Sequence, residues 1–311
     1  MNNIYLQDAL AKSLDAIYET SHTSIPICIA EEELSLSVFK KNKDLLVGIL
    51  FEKTGLSEKM EQNMTEIVPQ VIEYAEKNGF NNLRIFSKTA IMGLSNHMPD
   101  KMNMMLELPE DADIIWKGVK GTIRNRVRRP NKEGYHYTIR SDVSDLEIFY
   151  KIYCSSIHYI GSLILPFSFF QELFDNFKEH INIHIGYLND KPVCTAFLTD
   201  CGDEMFMPWA GSIPEYNRFG VNMAMYWNMI EWSISQGKKR LNLGRSTRNE
   251  GTYRFKKQWL ADEQQLYMYH LPIYQESLIK NKVYSQISKS ITKSPDFVMN
   301  CASKLFVKRF Y

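Results

Sequence analysis

Apolar residues recur at helical intervals in some stretches and at strand-like density in others. The order of the two predicts an α/β chain. Leu6, Leu10, Leu14 and Ile17 fall on one helical face. Ser24–Ala30 and Leu45–Phe51 read as short strands. A helix is predicted over Glu58–Asn78 and is closed by Gly79, because glycine accepts the left-handed backbone that ends helices. Leu83–Phe86 and Met102–Leu108 read as further strands. Ile115, Val119, Ile123 and Val127 form the apolar stripe of a helix over Ile115–Arg129. Pro130 stops that helix, and Asn131 and Gly134 supply a turn.

A second unit is expected from Tyr135, beginning with a strand over Tyr135–Ile139. Helices over Val143–Tyr159 and Phe167–Glu179 follow. Ile183–Leu188, Val193–Thr199 and Glu204–Trp209 then read as meandering strands. Gly220–Gln236 reads as a helix with Met223, Tyr226, Trp227, Ile230 and Ile234 inward, stopped by Gly237. Arg240–Leu243, a short helix over Thr252–Gln258 and a last strand over Gln265–His270 complete it. The expected domains are therefore 1–134, 135–271 and a helical tail over 272–311. The tail carries seven basic and two acidic side chains, with Val298, Ala302, Leu305 and Phe306 at helical spacing.

The 311 residues suit two domains, and 44% hydrophobic and 13% aromatic content argues against disorder. A net charge of +1 excludes a generic nucleic-acid binder. The five cysteines form no C-x-x-C pair, which fits free thiols in a reducing compartment rather than a disulfide framework or zinc ribbon. The first residues lack a signal-peptide pattern, and no run of eighteen apolar residues occurs. These features predict a cytoplasmic protein that needs no metal.

Three pieces carry candidate chemistry. Glu215–Asn222 leads into the predicted central helix, where unpaired N–H groups at Gly220, Val221 and Asn222 would bind phosphate and Arg218 would add a forked donor. Gly244, Arg245 and Ser246 stand at the end of the next strand, where ligands bind in open α/β sheets. The third piece is Gly251–Trp259, with Tyr253, Lys256 and Lys257. Lys238 to Lys257 hold eight basic side chains and one acidic, a field that attracts polyanions. Another seven basic residues and no acidic one lie from Lys117 to Lys132. Each cluster also suits a solvated helix face or an ordinary strand-end turn.

Asn222…Tyr226-Trp227, Gly237, Leu243–Ser246, Gly251–Trp259 and Leu266–Tyr269 together resemble the Fem-like branch of the GNAT acyltransferase superfamily, especially members associated with exopolysaccharide gene clusters. The basic helix Lys120–Arg129 resembles the family's helix between its two halves. The resemblance implies two tandem GNAT-like domains, each a mixed, mostly antiparallel sheet flanked by helices. It also implies transfer of an acyl group from acyl-CoA (acetyl-CoA) or aminoacyl-tRNA to an amine. Lys256 matches the family position that meets donor phosphate. The usual phosphate loop is degraded here to Arg218–Asn222, which weakens the CoA reading and keeps tRNA open.

On this reading Tyr253 is the general acid and Arg245 neutralises the donor alongside Lys256. Backbone N–H groups of Glu204–Trp209 polarise the carbonyl. Glu215, Glu250 and His158 are candidate bases. Arg124, Arg128 and Trp209 would meet the acceptor, an amino sugar or peptide linked to a nucleotide or lipid. The tail would touch the inner face of a membrane or dock on its own chain. The rival reading is a non-catalytic GNAT-fold scaffold in polysaccharide assembly.

Overall fold

The computed structural model describes Lys12, Asp15 and residues 20–48 and 56–273. The expected first helix and the basic tail lie outside the described residues. The rest forms two compact units, one running to Lys101 and resuming at Gln265, the other spanning Met102–Gln264.

The first unit is a five-stranded sheet, ordered β1-β2-β3-β4-β12. Its strands are β1 (Ser21–Ile29), β2 (Glu32–Lys41), β3 (Asp44–Val47), β4 (Asn82–Ser87) and β12 (Tyr267–Pro272). Strands β1 and β2 pair antiparallel from Ser21↔Lys40 to Ile29↔Glu32. The predicted helix 58–78 is divided at Asn63 into α1 (Glu58–Gln62) and α2 (Met64–Lys77). Helix α2 buries Ile67, Val71 and Ala75 in the same core as Ile25, Leu36 and Leu83. Strand β2 went unpredicted, although Leu34, Leu36 and Val38 alternate as a half-buried strand requires.

The second unit is a seven-stranded sheet, ordered β11-β5-β10-β9-β8-β7-β6. These strands are β5 (Lys101–Glu107), β6 (Tyr135–Arg140), β7 (Ile181–Leu188), β8 (Lys191–Cys201), β9 (Glu204–Ser212), β10 (Arg240–Thr247) and β11 (Asp262–Gln265). The helices are α3 (Ala112–Gly118), α4 (Gly121–Arg128), α5 (Val143–Tyr159), α6 (Phe167–Phe177), α7 (Val221–Ser235) and α8 (Gly251–Lys257). Both units are mixed sheets with helices, as expected.

Three expectations need correction. The boundary expected at 134/135 falls at 101/102, because β5 joins the second sheet and Ile115, Val119, Ile123 and Val127 share a core with Met205 and Trp227. The single helix over 115–129 is two helices. Val119 is extended (ψ 148°), and Arg124 donates to the carbonyls of Trp116 and Val119 that end the first. The strand expected over 265–270 does not close the second domain. Tyr267–Pro272 pairs antiparallel with β4, from Tyr267↔Ser87 to Pro272↔Asn82, so the chain returns to the first sheet. Tyr269 anchors that return: it is buried, and its hydroxyl accepts a bond of 2.8 Å from the Ile91 amide. Cys194 and Cys201 lie on the same strand, and neither is in a disulfide among the described residues.

Candidate active site

The sheet of the second unit opens where β9 and β10 part. The two pair in parallel only from Arg240↔Glu204 to Asn242↔Phe206, yet β9 runs on to Ser212 and β10 to Thr247. Sequence explains the parting. Pro208 has no N–H to give a ladder. Gly244 turns β10 into the left-handed region (φ +73°), and a Cβ there would lie 3.1 Å from the Met207 carbonyl oxygen. Asn242 steers this turn, because its Oδ1 accepts from the Gly244 amide at 2.9 Å while its Nδ2 donates to Glu204 at 3.0 Å. Residues 204, 242 and 244 therefore fix the place of the opening.

Just past the opening, β10 carries Arg245 and Ser246. Arg245 is exposed; Ser246 is buried, and its hydroxyl has no hydrogen-bond partner among the described residues. Lys256 reaches back from α8, itself only 7% exposed, and donates to the carbonyls of Gly244 (3.2 Å) and Arg245 (2.9 Å). Its ammonium thus braces the turn of β10, and Lys257 beside it is exposed. Sequence order alone does not separate these two roles.

The predicted phosphate loop is a 3-10 turn over Pro214–Phe219 that feeds α7 through Gly220 (φ +87°). Gly220 is required here, because a Cβ would lie 2.6 Å from the carbonyl oxygen of Arg126 in α4. Val221 is buried and Asn222 is half-buried. Asn222 donates to Asn217 Oδ1 at 2.9 Å, and Ser212 donates to the same oxygen at 2.5 Å, which ties the end of β9 to the start of α7. Arg218 is exposed, with its guanidinium 4.8 Å from the Phe219 ring centre. A groove of about 460 Å³ lined by Glu133, Lys191, Glu215, Tyr216 and Arg218 lies outside this turn.

Tyr253 is placed apart from Arg245. Its hydroxyl donates to Glu263 Oε2 on β11 at 3.1 Å, and Arg248 Nε approaches the same oxygen at 3.3 Å. Partial desolvation, then the Glu263 carboxylate, raise the hydroxyl's pKa above its ordinary value. Glu263 was not singled out from the sequence, since it stands ten residues from Tyr253 beyond a turn at Leu260 (φ +65°) and belongs to no local pattern.

The residues expected at the acceptor are otherwise engaged. Arg124 caps α3, as described, and Arg128 sits 5.1 Å over the Trp116 ring. Trp209 packs edge-on against Phe169, Phe170 and Phe197 at 5.1–5.5 Å. Of the candidate bases, Glu215 and Glu250 are exposed and His158 is half-buried on α5.

The second unit thus holds a parallel strand pair that parts, followed by a short helix after its second strand. Residues 117–257 match the acetyltransferase (GNAT) domain model. Beyond that stretch, the chain is similar to Fem-like proteins. It is 20% identical over 203 residues to a UDP-N-acetylmuramoylpentapeptide-lysine N(6)-alanyltransferase of Weissella viridescens. The match covers 63% of this chain and spans about three-fifths (59%) of that relative. The fold is that of FemX, with a TM-score of 0.64 at 14% identity over 92% of this chain and 97% of the other. A tandem GNAT protein from the clavulanic acid biosynthesis pathway shares it at a TM-score of 0.54 and 9% identity, over 83% of this chain and 85% of its own.

Proposed function

We propose that this Fem-like chain transfers an acyl or aminoacyl group to an amine of a cell-envelope or polysaccharide precursor. The carrying observation is the opening of β9 from β10 beyond Phe206 and Asn242, beside the start of α7. A carbonyl laid in that opening meets backbone rather than water. Met207 lies at its edge, with its carbonyl oxygen 3.1 Å from where a Gly244 Cβ would stand. In this reading, backbone N–H groups of β9 polarise the donor carbonyl.

The donor is acyl-CoA or aminoacyl-tRNA. Both carry phosphates, which suit the first-turn amides of Val221 and Asn222 and the exposed guanidinium of Arg245. Ser246 adds a buried hydroxyl with no partner among the described residues. Direct attack by the neutral amine gives a tetrahedral intermediate, and Tyr253 protonates the departing group. The similarity to an alanyltransferase acting on the lysine of a UDP-N-acetylmuramoyl pentapeptide supports a peptide acceptor carried on a nucleotide. Amino sugars and lipid-linked precursors share the same amine chemistry. No helix among the described residues is long and apolar enough to cross a membrane.

The test is transfer itself. Purified full-length chain is given labelled acetyl-CoA or alanyl-tRNA with a UDP-linked, lysine-containing pentapeptide or a UDP-linked amino sugar, and products are read by mass spectrometry. A mass gain on the acceptor amine is expected from one donor. No transfer from either donor onto any amine supports the scaffold reading instead.

A further inference from the structure

Three turns of the second unit are tied into a ring. The first is the 3-10 turn Pro130–Glu133, which ends at Gly134 (φ +72°). A Cβ on Gly134 would lie 3.0 Å from Asn189 Oδ1, so this turn abuts the tip of the β7–β8 hairpin. At that tip Asn189 (φ +49°) and Asp190 (φ +61°) are both left-handed, as a two-residue hairpin turn requires. Further along β8 the Val193 carbonyl accepts from the Ile213 amide at 2.9 Å, which fixes the entry to the third turn, Pro214–Phe219. The ring closes at Gly220, whose Cβ would lie 2.6 Å from the Arg126 carbonyl oxygen and 3.7 Å from Pro130 Cδ. All three turns line the groove of about 460 Å³.

The charges around that groove are balanced. Glu133 and Glu215 bring two carboxylates, and Lys191 and Arg218 bring two cations. All four side chains are exposed, and none is in an ion pair among the described residues. Arg218 is steadied by the Phe219 ring, 4.8 Å away. We infer that this groove binds a short peptide carrying both a free ammonium and a free carboxylate. The charge pattern selects such a ligand. A phosphate chain would set its charges against Glu133 and Glu215, and a polyamine would set its own against Lys191 and Arg218. A zwitterion meets an opposite charge at each end, while Leu188, Tyr216 and Phe219 give its side chains an apolar wall. The volume lies in the range of small-molecule sites. The ring sets the backbone under all four charges before a ligand arrives, which lowers the ordering cost of binding. This inference stands apart from acyl transfer and moves Arg218 from donor phosphate to the groove.

The test titrates the full chain with the dipeptide alanyl-leucine by calorimetry, alongside its N-acetylated and C-amidated forms. The free dipeptide is expected to bind, and blocking either end to weaken binding about threefold to tenfold, as loss of one partly exposed charge contact does. Glu133→Gln combined with Glu215→Gln is expected to erase the penalty for acetylation and keep the penalty for amidation. Lys191→Gln combined with Arg218→Gln is expected to do the reverse. Lys77→Gln, at an exposed position in the first unit, is expected to change neither. No binding of the dipeptide at millimolar concentration, equal affinity for the blocked forms, or penalties that ignore the paired variants overturns the inference. Pyrophosphate binding that is lost in Lys191→Gln with Arg218→Gln, without dipeptide binding, overturns it in favour of a donor-phosphate site. Absence of acyl transfer by the unaltered chain counts against the function proposed above alone, because the titration needs no donor.

Discussion

Replacing Gly220 with alanine tests why α7 starts where it does. Two separate costs follow from the structure. The residue sits at φ +87°, where a Cβ is strained by about 1–2 kcal/mol. The new methyl would also lie 2.6 Å from the Arg126 carbonyl oxygen, a backbone atom that cannot swing aside as a side chain would. Forcing α4 and α7 apart adds about 1–3 kcal/mol, as overpacking does elsewhere. The combined loss of about 2–5 kcal/mol corresponds to a fall in Tm of about 10 °C for a unit of this size. Gly202 provides the internal control. It has a similar φ of +80° but nothing within 4 Å of its virtual Cβ, so Gly202→Ala carries the backbone cost alone. Its Tm is expected to fall by about 2–5 °C. Thermal unfolding of both variants by circular dichroism gives the comparison. If Gly220→Ala costs no more than Gly202→Ala, the close approach of α4 to the helix start is not a constraint.

Other consequences follow from single contacts. Lys256→Met removes the buried donor to the Gly244 and Arg245 carbonyls, and is expected to lower stability in urea by about 1–3 kcal/mol. Wild-type stability in Lys256→Met contradicts the bracing role. Arg140→Ala strips both guanidinium bonds, at 2.5 and 3.0 Å, from the fully buried Asp145. With Arg140 itself half-exposed, a measurable loss of stability is expected, and a loss below experimental error counts against the pair. His184 is fully buried, and burial lowers its pKa to about 4. The unfolded chain therefore takes up this proton first as pH falls, so stability is whole above the ordinary histidine range and declines down to about pH 4. The decline from this group is about 3 kcal/mol, and urea titrations of His184→Gln are expected to show a shallower acid limb.

Much of the second unit was legible because its elements are strongly patterned. Met223, Tyr226, Trp227 and Ile230 marked the central helix, and three closely spaced strand-like runs marked the meander. What escaped was pairing at a distance. Nothing local in Met102–Glu107 or Tyr267–Pro272 tells which sheet each strand joins, since both read as apolar strands. The break at Val119 was hidden because the apolar spacing of Ile115, Val119, Ile123 and Val127 runs through it unchanged. The site divides in the same way. Gly220, Gly244 and Ser246 were visible as chain punctuation and proved to stand at close approaches or buried positions. The inward turn of Lys256 and the bond from Tyr253 to Glu263 depend on how α8 lies over the sheet, which no spacing in the sequence specifies.

Donor binding tests the central claim most directly. CoA and acetyl-CoA are titrated by calorimetry and alanyl-tRNA by filter binding, each against the unaltered chain and Arg245→Ala. The account predicts that one donor class binds and that Arg245→Ala weakens it about tenfold or more, as loss of a charge-assisted phosphate contact does. Binding that ignores Arg245, or no binding of either donor, contradicts a donor site at the opening of β9 and β10.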